Sequence, residues 1–206
     1  MGTAERKNRE KAELRGLILK AARDLFVQKG IEQTTIRKIA TAIDYSVGTV
    51  YVYFKDKNDI LHALHTQGFG QLGNEMRTLH TIAEPMERLI ALGKVYIKFA
   101  LENPDMYELM FSLRAPIEFL ESSHKECWNE GKATFDVLRT NVAQCLEAGY
   151  FKGQALEPLS FAIWSMVHGM ASLHISQRTR GVNLMEPEVI INQAYEAFVL
   201  MIREQI

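Results

Sequence analysis

The chain has 206 residues, 47% hydrophobic and 24% charged, an ordinary balance for a folded globular protein. That length admits one large domain or a small one joined to a larger one. The start of the chain, residues 1–15, lacks the apolar core of a signal peptide. The two cysteines, Cys127 and Cys145, argue against a disulfide framework or a four-cysteine zinc site, so a cytoplasmic protein is expected. The formal net charge of −1 conceals an asymmetry: residues 1–60 hold 12 Lys and Arg against 8 Asp and Glu, leaving 12 against 17 in the remainder. A basic end on an acidic body suggests that one end meets a polyanion.

Helical spacing recurs along the chain and no segment sustains period-two alternation, so the expected fold class is all-α, with about nine helices and short connections. Leu14, Leu17, Ile18, Ala21, Leu25 and Phe26 follow the i, i+3, i+4, i+7 rule, and Gly30 stands where a C-terminal cap belongs. Upstream, Lys7, Lys11 and Arg15 recur every four residues. Like charges at that spacing repel, so the stripe faces water or phosphate. Glu5, Glu10 and Glu13 nearby favour a solvated, frayed helix.

Thr34 to Phe54 reads as two short helices around a tight turn. Thr34 or Thr35 can cap the first, whose apolar face is Ile36, Ile39, Ala40 and Ile43. Asp44 sits at the turn, where a left-handed conformation is often needed. Ser46 can cap the second helix, Val50 and Phe54 point inward, and Val47, Gly48, Thr49, Tyr51 and Tyr53 are left to face outward. Two phenols, a threonine and a glycine make a surface suited to a DNA groove and its phosphates. Next to it, the Asp56 side chain can cap a third helix opened by Lys57, with Asp59 favouring its positive end.

Gly68, Gly70 and Gly73 fall within six residues, each costing a helix about 1 kcal/mol relative to alanine. Either one helix ends and another begins around Gly73, or the segment is a weak joint between two halves. The expected boundary is a DNA-binding domain at 1–60 and a sensing and dimerisation domain at 61–206. Pro85, Pro104, Pro116, Pro158 and Pro187 suit helix starts, where the donor that proline lacks is unused. Residues 158–177 carry no Asp, Glu, Lys or Arg over 20 residues, a bilayer's span. The segment also holds four serines, two histidines and a glutamine, so it is expected to be a helix buried on most sides by protein, with no membrane partner.

The segment 34–57 resembles the DNA-binding domain of the TetR family. The pattern is carried by Thr34, Thr35, Arg37, Ile39, Ala40, Ser46, Gly48, Thr49, Tyr51, Tyr53, Phe54 and Lys57, without a gap. It departs at the turn, where Ile43-Asp44-Tyr45 replaces the usual Ala-Gly-Val, and at Val47, where a polar residue is frequent. The resemblance implies contacts to double-stranded operator DNA from Thr35, Arg37, Val47, Gly48, Thr49, Tyr51, Tyr53 and Lys57. Arg37 would meet a base or phosphate, Val47 a thymine methyl, and Tyr51 and Lys57 mainly backbone.

Trp164, His168 and Gly169 resemble the Trp-x-x-x-His-Gly signature of one TetR C-terminal subfamily, the WHG domain, and the segment 103–111 is similar to that subfamily's pattern upstream. The local spacing is informative by itself. Ser165, Gly169, Ser172 and Ser176 form a stripe of small side chains that lets another helix approach closely. The last helix offers two apolar stripes, Ile190–Ala194–Ala197–Met201 and Ile191–Tyr195–Phe198–Ile202, one for its own core and one for something else. A four-helix homodimer interface is expected, with packing inside one chain as the alternative.

Phe99, Tyr107, Met110, Phe111, Trp128, Trp164 and His168 are the candidates to line a cavity for a small hydrophobic or amphipathic effector, each of them equally a candidate for plain core. His62 with His65, or His124 with Cys127, has metal-ligand spacing but no third ligand, so no metal and no cofactor is expected. No nucleophile–base pair or phosphate loop suggests an enzyme. The expected function is therefore a ligand-responsive regulator of transcription, a repressor released from its operator by a small molecule.

Overall fold

The computed structural model describes residues 3–111, 129–182, 184, 186 and 189–204, and these form helices and turns without a strand. Ten α-helices are described: α1 (Thr3–Lys29), α2 (Ile36–Ala42), α3 (Val47–Tyr51), α4 (Lys57–Arg77), α5 (Pro85–Glu102), α6 (Pro104–Phe111), α7 (Asn129–Glu147), α8 (Leu156–Ile175), α9 (Arg178–Gly181) and α10 (Ile190–Arg203). A 3₁₀ turn (Thr78–Thr81) follows α4. No described helix is long and apolar enough to cross a membrane.

The chain divides into two compact units. One comprises Met1–Gly68 with Asp105–Cys127, the other Phe69–Pro104 with Trp128–Ile206. In the first, α1 packs on α2 and α2 on α3. The buried stripe of α1 is Ile18, Leu19, Ala22 and Phe26, whereas Leu17 is exposed. Ile18 and Phe26 are shared with the expected stripe, and Leu19 and Ala22 each lie one position beyond an expected residue. The N-terminal part of α1 is a solvated helix carrying the ion pairs Arg6–Glu10 at 3.5 Å and Arg9–Glu13 at 3.4 Å. Gly30, at φ 79°, ends α1 by donating its N–H to the Phe26 carbonyl at 2.9 Å, a left-handed cap.

α4 runs unbroken through Gly68, Gly70 and Gly73, so no helix ends at Gly73. Two of these glycines answer to packing instead. A Cβ on Gly68 would lie 2.5 Å from the Met110 sulfur, and one on Gly73 would lie 3.1 Å from the Thr134 hydroxyl. Gly70 faces open space.

In the second unit α5, α7 and α8 pack on one another, and α10 rests on α5 and α8. Pro85 opens α5 and Pro104 opens α6, with Pro158 in the first turn of α8, as proline's missing donor dictates. Pro116 and Pro187 lie outside the described residues. Only one face of α8 is buried, that of Ser160, Ile163, Val167 and Ala171. Its other face leaves Phe161, Met166 and Leu173 exposed, so this chain by itself covers only one side of the helix.

Gly93 sets how close α10 comes to α5. A Cβ there would run into the Tyr195 ring, whose hydroxyl donates to the Ile90 carbonyl at 2.5 Å. Burial pushes that phenol's pKa far up, so it remains a donor. Gly93→Ala is expected to destabilise the protein by about 1–3 kcal/mol through overpacking. Gly70→Ala, placed in open space within a helix, should be neutral to stabilising by up to about 1 kcal/mol. Thermal unfolding of the two variants reads the contrast.

Candidate nucleic-acid interface

The turn between α2 and α3 is built from three local devices. Thr35 caps α2, its hydroxyl accepting from the Lys38 N–H at 3.2 Å, which decides between the two candidate threonines. Thr34 is buried instead, its hydroxyl 2.8 Å from the Gly30 carbonyl and 3.2 Å from that of Leu25. It closes the end of α1 and ties the next segment to it. At the other end of α2, the Tyr45 N–H donates to the Ala40 carbonyl at 3.0 Å and the Asp44 N–H to that of Thr41 at 3.3 Å. This is a Schellman closure, with Asp44 left-handed at φ 57°. Ser46 then caps α3 by accepting from the Thr49 N–H at 3.0 Å.

These devices fix which side chains face out. Ile39, Ala40, Ile43, Val50 and Phe54 are buried as expected, so α2 and α3 are held by their inner faces. Thr35, Arg37, Gly48 and Tyr51 are exposed, while Val47, Thr49, Tyr53 and Lys57 are half-buried. Tyr51 is 54% exposed, which excludes a ring packed away between helices. Beside it, Val52 is 73% and Tyr45 47% exposed, two large side chains on this surface that the sequence reading left out.

Lys57 has a second role. Its ammonium donates to the Ile31 carbonyl at 2.8 Å, bracing the start of α4 against the end of α1. Two N–H groups remain for other acceptors. Asp56 caps α4 through the Asp59 N–H at 2.9 Å, and Asp59 reaches back to the Lys55 N–H at 2.9 Å. The Arg15 guanidinium lies over the Phe54 ring, 5.1 Å from its centroid, so one member of the basic stripe on α1 is anchored to this unit's core.

Residues 18–64 match the family described as bacterial regulatory proteins, tetR family, and residues 89–198 match the tetracyclin repressor-like C-terminal domain. The chain belongs to the TetR family. It is a ligand-responsive, DNA-binding transcriptional regulator, and its helix-turn-helix is α2–turn–α3. Its relatives include the HTH-type transcriptional regulator HbdR of Aromatoleum sp. (strain CIB), 27% identical over 167 residues, which cover 79% of this chain and 70% of HbdR. The HTH-type transcriptional repressor KstR2 of Mycolicibacterium smegmatis is 26% identical over 64% of this chain and 66% of its own. Among solved structures, the fatty acid degradation regulator FadR from Bacillus halodurans superposes with a TM-score of 0.70 at 17% identity, covering 90% of this chain and 94% of its own. At that identity the likeness is one of fold. The finer likeness to the WHG subgroup rests on Trp164, His168 and Gly169 together with the segment 103–111.

The TetR-like C-terminal residues picked as effector contacts divide between the two units. Tyr107, Met110 and Phe111 belong to the first, where the Tyr107 and Phe111 rings lie 4.8 Å apart and the Met110 carbonyl is 3.2 Å from His65 Nε2. Phe99, Trp164 and His168 belong to the second, and Trp128 lies outside the described residues. Trp164 and His168 converge on a residue that the sequence reading missed. The buried Tyr96 hydroxyl is 3.4 Å from Trp164 Nε1 and 2.9 Å from His168 Nδ1. Since the indole N–H can only donate, the phenol oxygen accepts from it, and the same hydroxyl shares a second hydrogen bond with His168 Nδ1. The signature thus joins α8 to α5.

Of the metal-ligand pairs, His124 and Cys127 lie outside the described residues, and no group of three or more metal-type side chains occurs among those described. Burial pushes the Cys145 thiol up to about 11, which leaves it inert.

Burial also lowers His168 below its ordinary 6.5. The unfolded chain therefore takes up its proton first as pH falls. The stability that His168 allows is fully present above pH 6.5 and is lost as pH drops through the folded value. His168→Gln should flatten this dependence, narrowing the Tm difference between neutral and mildly acidic buffer. An unchanged difference would exclude His168 as its source.

Proposed function

We propose that the protein is a cytoplasmic homodimeric repressor, released from a near-palindromic operator by a small hydrophobic or amphipathic molecule. The observation that carries the DNA half is the outward face of α2 and α3. Its proposed contacts are Thr35, Arg37, Val47, Gly48, Thr49, Tyr51, Tyr53 and Lys57. Arg37 is exposed and unpaired among the described residues, which leaves its planar fork of donors available for a guanine edge or a phosphate. The DNA-binding role is proposed for 1–60 and the sensing and dimerisation roles for 61–206. For the effector, the contacts proposed are Phe99, Tyr107, Met110, Phe111, Trp164 and His168, with Trp128 outside the described residues.

A second copy is the partner proposed for the open faces of α8 and α10. On α10 the stripe Ile191–Tyr195–Phe198–Ile202 is buried in the chain's own core, while Leu200 is 64% and Met201 53% exposed. On α8, Phe161 is 60% exposed, and Gly169 has open space where a Cβ would stand. These two helices pack on each other, so their open faces adjoin. An apolar surface beside small residues suits helix-on-helix pairing, and two-fold pairing presents two helix-turn-helix elements to successive major grooves roughly 34 Å apart.

A gel-shift titration on the DNA upstream of the chain's own gene should show specific binding. Affinity should fall steeply with salt, because each neutralised phosphate contributes a slope near −0.9 in log–log terms. Arg37→Ala should weaken binding by roughly tenfold or more, as a lost bidentate base contact costs about 1–3 kcal/mol. Absence of salt-sensitive, sequence-specific binding would reject the proposal. Separately, light scattering should give a dimer at micromolar concentration, and Leu200→Glu with Met201→Glu should give a folded monomer that binds the operator weakly. A monomeric wild-type protein would reject the interface.

A further inference from the structure

The last turn of α4, the 3₁₀ turn, α5 and α7 enclose a cleft of 550 Å³, within the roughly 300–1,000 Å³ that small-molecule sites occupy. None of the aromatic residues picked from the sequence lines it. Its apolar wall is Met76, Leu92 and Val137. Its polar wall carries two cations, Arg77 and Arg88, whose hydrogen bonds go to neutral acceptors and leave further N–H groups of each guanidinium for a ligand. Arg77 Nη2 donates to Asn74 Oδ1 at 2.5 Å. Arg88 Nη1 donates to the Ile82 carbonyl at 2.7 Å, and its Nη2 to Gln144 Oε1 at 2.5 Å. These bonds hold both guanidiniums in place without cancelling either charge. The carboxylate in the wall, that of Asp136, is already paired with Arg139 Nη2 at 3.0 Å. The cleft is therefore electropositive.

Asn141 adds an unpaired acceptor. It is buried in the same wall, and its Nδ2 donates to the Pro85 carbonyl at 3.1 Å, which fixes which way the amide points. Its Oδ1 has no hydrogen-bond partner among the described residues. A buried carbonyl oxygen left unpaired costs about 1–3 kcal/mol, so a ligand that supplies an N–H or O–H recovers that cost.

We propose that this cleft binds a small organic anion, a carboxylate, sulfonate or phosphate joined to an apolar body that bears an N–H or O–H donor. The anion meets Arg77 and Arg88, for which the planar guanidinium fork is suited. The apolar body lies on Leu92 and Val137. That occupancy is read out as operator release rests on the effector-responsive reading above; the binding site itself does not.

The probe is 1-anilinonaphthalene-8-sulfonate, which combines a sulfonate, an aromatic body and an N–H. Its uncharged counterpart, N-phenyl-1-naphthylamine, keeps the body and the N–H. In fluorescence titrations of the full chain, the sulfonate should bind at least roughly tenfold more tightly than the neutral compound, and less tightly as salt rises. Arg77→Gln and Arg88→Gln should each weaken sulfonate binding about tenfold and leave the neutral compound unaffected, with Arg88→Lys recovering part of the loss. Arg88→Gln also gives up the bond to Ile82, so Thr140→Glu serves as a second variant, placing a repelling charge on an exposed part of the wall.

Equal affinity for the two naphthalenes, or sulfonate affinity unchanged in Arg77→Gln and Thr140→Glu, overturns the site. The same samples are assayed for operator binding by gel shift. Variants that lose the sulfonate but keep the operator support the site. A wild-type protein that binds the sulfonate but no DNA overturns the regulator reading and leaves the site standing.

Discussion

With φ at 57°, Asp44 holds the chain in a region that costs most L-residues about 1–2 kcal/mol, and the whole outward face of α2 and α3 follows from that turn. The left-handed step lets the Asp44 and Tyr45 N–H groups satisfy the last carbonyls of α2. It also brings the chain round so that Ser46 can cap α3 immediately afterwards. A helix of five residues has no stability of its own, because nucleation is costly and one buried side chain, Val50, cannot offset it. α3 exists because it is capped at its start and pinned by Val50, with Phe54 buried just beyond its end. Every outward residue, from Val47 to Val52, owes its direction to those anchors.

The larger unit is organised by a different constraint, the distance of closest approach between helices. Gly93 lets the Tyr195 ring lie against the α5 backbone, and the phenol then closes on the Ile90 carbonyl. That single contact orients α10, so Ile191, Phe198 and Ile202 turn inward and Leu200 and Met201 outward. Tyr96 does the same for α8 by meeting Trp164 and His168. Both hydroxyls are satisfied inside the chain, so orientation is set by directional bonds and the remaining apolar faces stay open. A helix fixed this way presents a defined surface, which a partner copy needs more than added hydrophobic area.

Much of this was legible in the sequence wherever the signal is local. Caps, the left-handed turn, the prolines Pro85, Pro104 and Pro158, and the inward positions Ile39, Ala40, Ile43, Val50 and Phe54 each depend on residues within one or two turns, and each falls where the spacing places it. The two threonines show where that legibility stops. Both hydroxyls suit a cap, and only the return of the chain onto the end of α1 commits Thr34 to the Gly30 carbonyl and leaves the cap to Thr35. The glycines of α4 mislead for the same reason. Their helix penalty is visible locally, whereas the Met110 and Thr134 side chains that make them useful are about 40 and 60 residues away. Tyr96 carried no signal at all, being one tyrosine among seven until α8 is laid across α5.

That distinction explains why the aromatic residues of the C-terminal part drew attention and the cleft did not. Large apolar and aromatic side chains are conspicuous in a sequence, yet they are also the first to be spent on the core, because burial stabilises them most. Phe99 and Tyr107 are almost fully enclosed, and Trp164 and His168 direct polar atoms to Tyr96. A ligand needs groups that folding has left with unspent capacity. Those groups are Arg77 and Arg88, charged yet bonded only to neutral acceptors, and Asn141, whose carbonyl oxygen accepts nothing. They come from α4, α5 and α7 with no shared spacing. The place to look for recognition in this fold is where the bookkeeping of charge and hydrogen bonds fails to close.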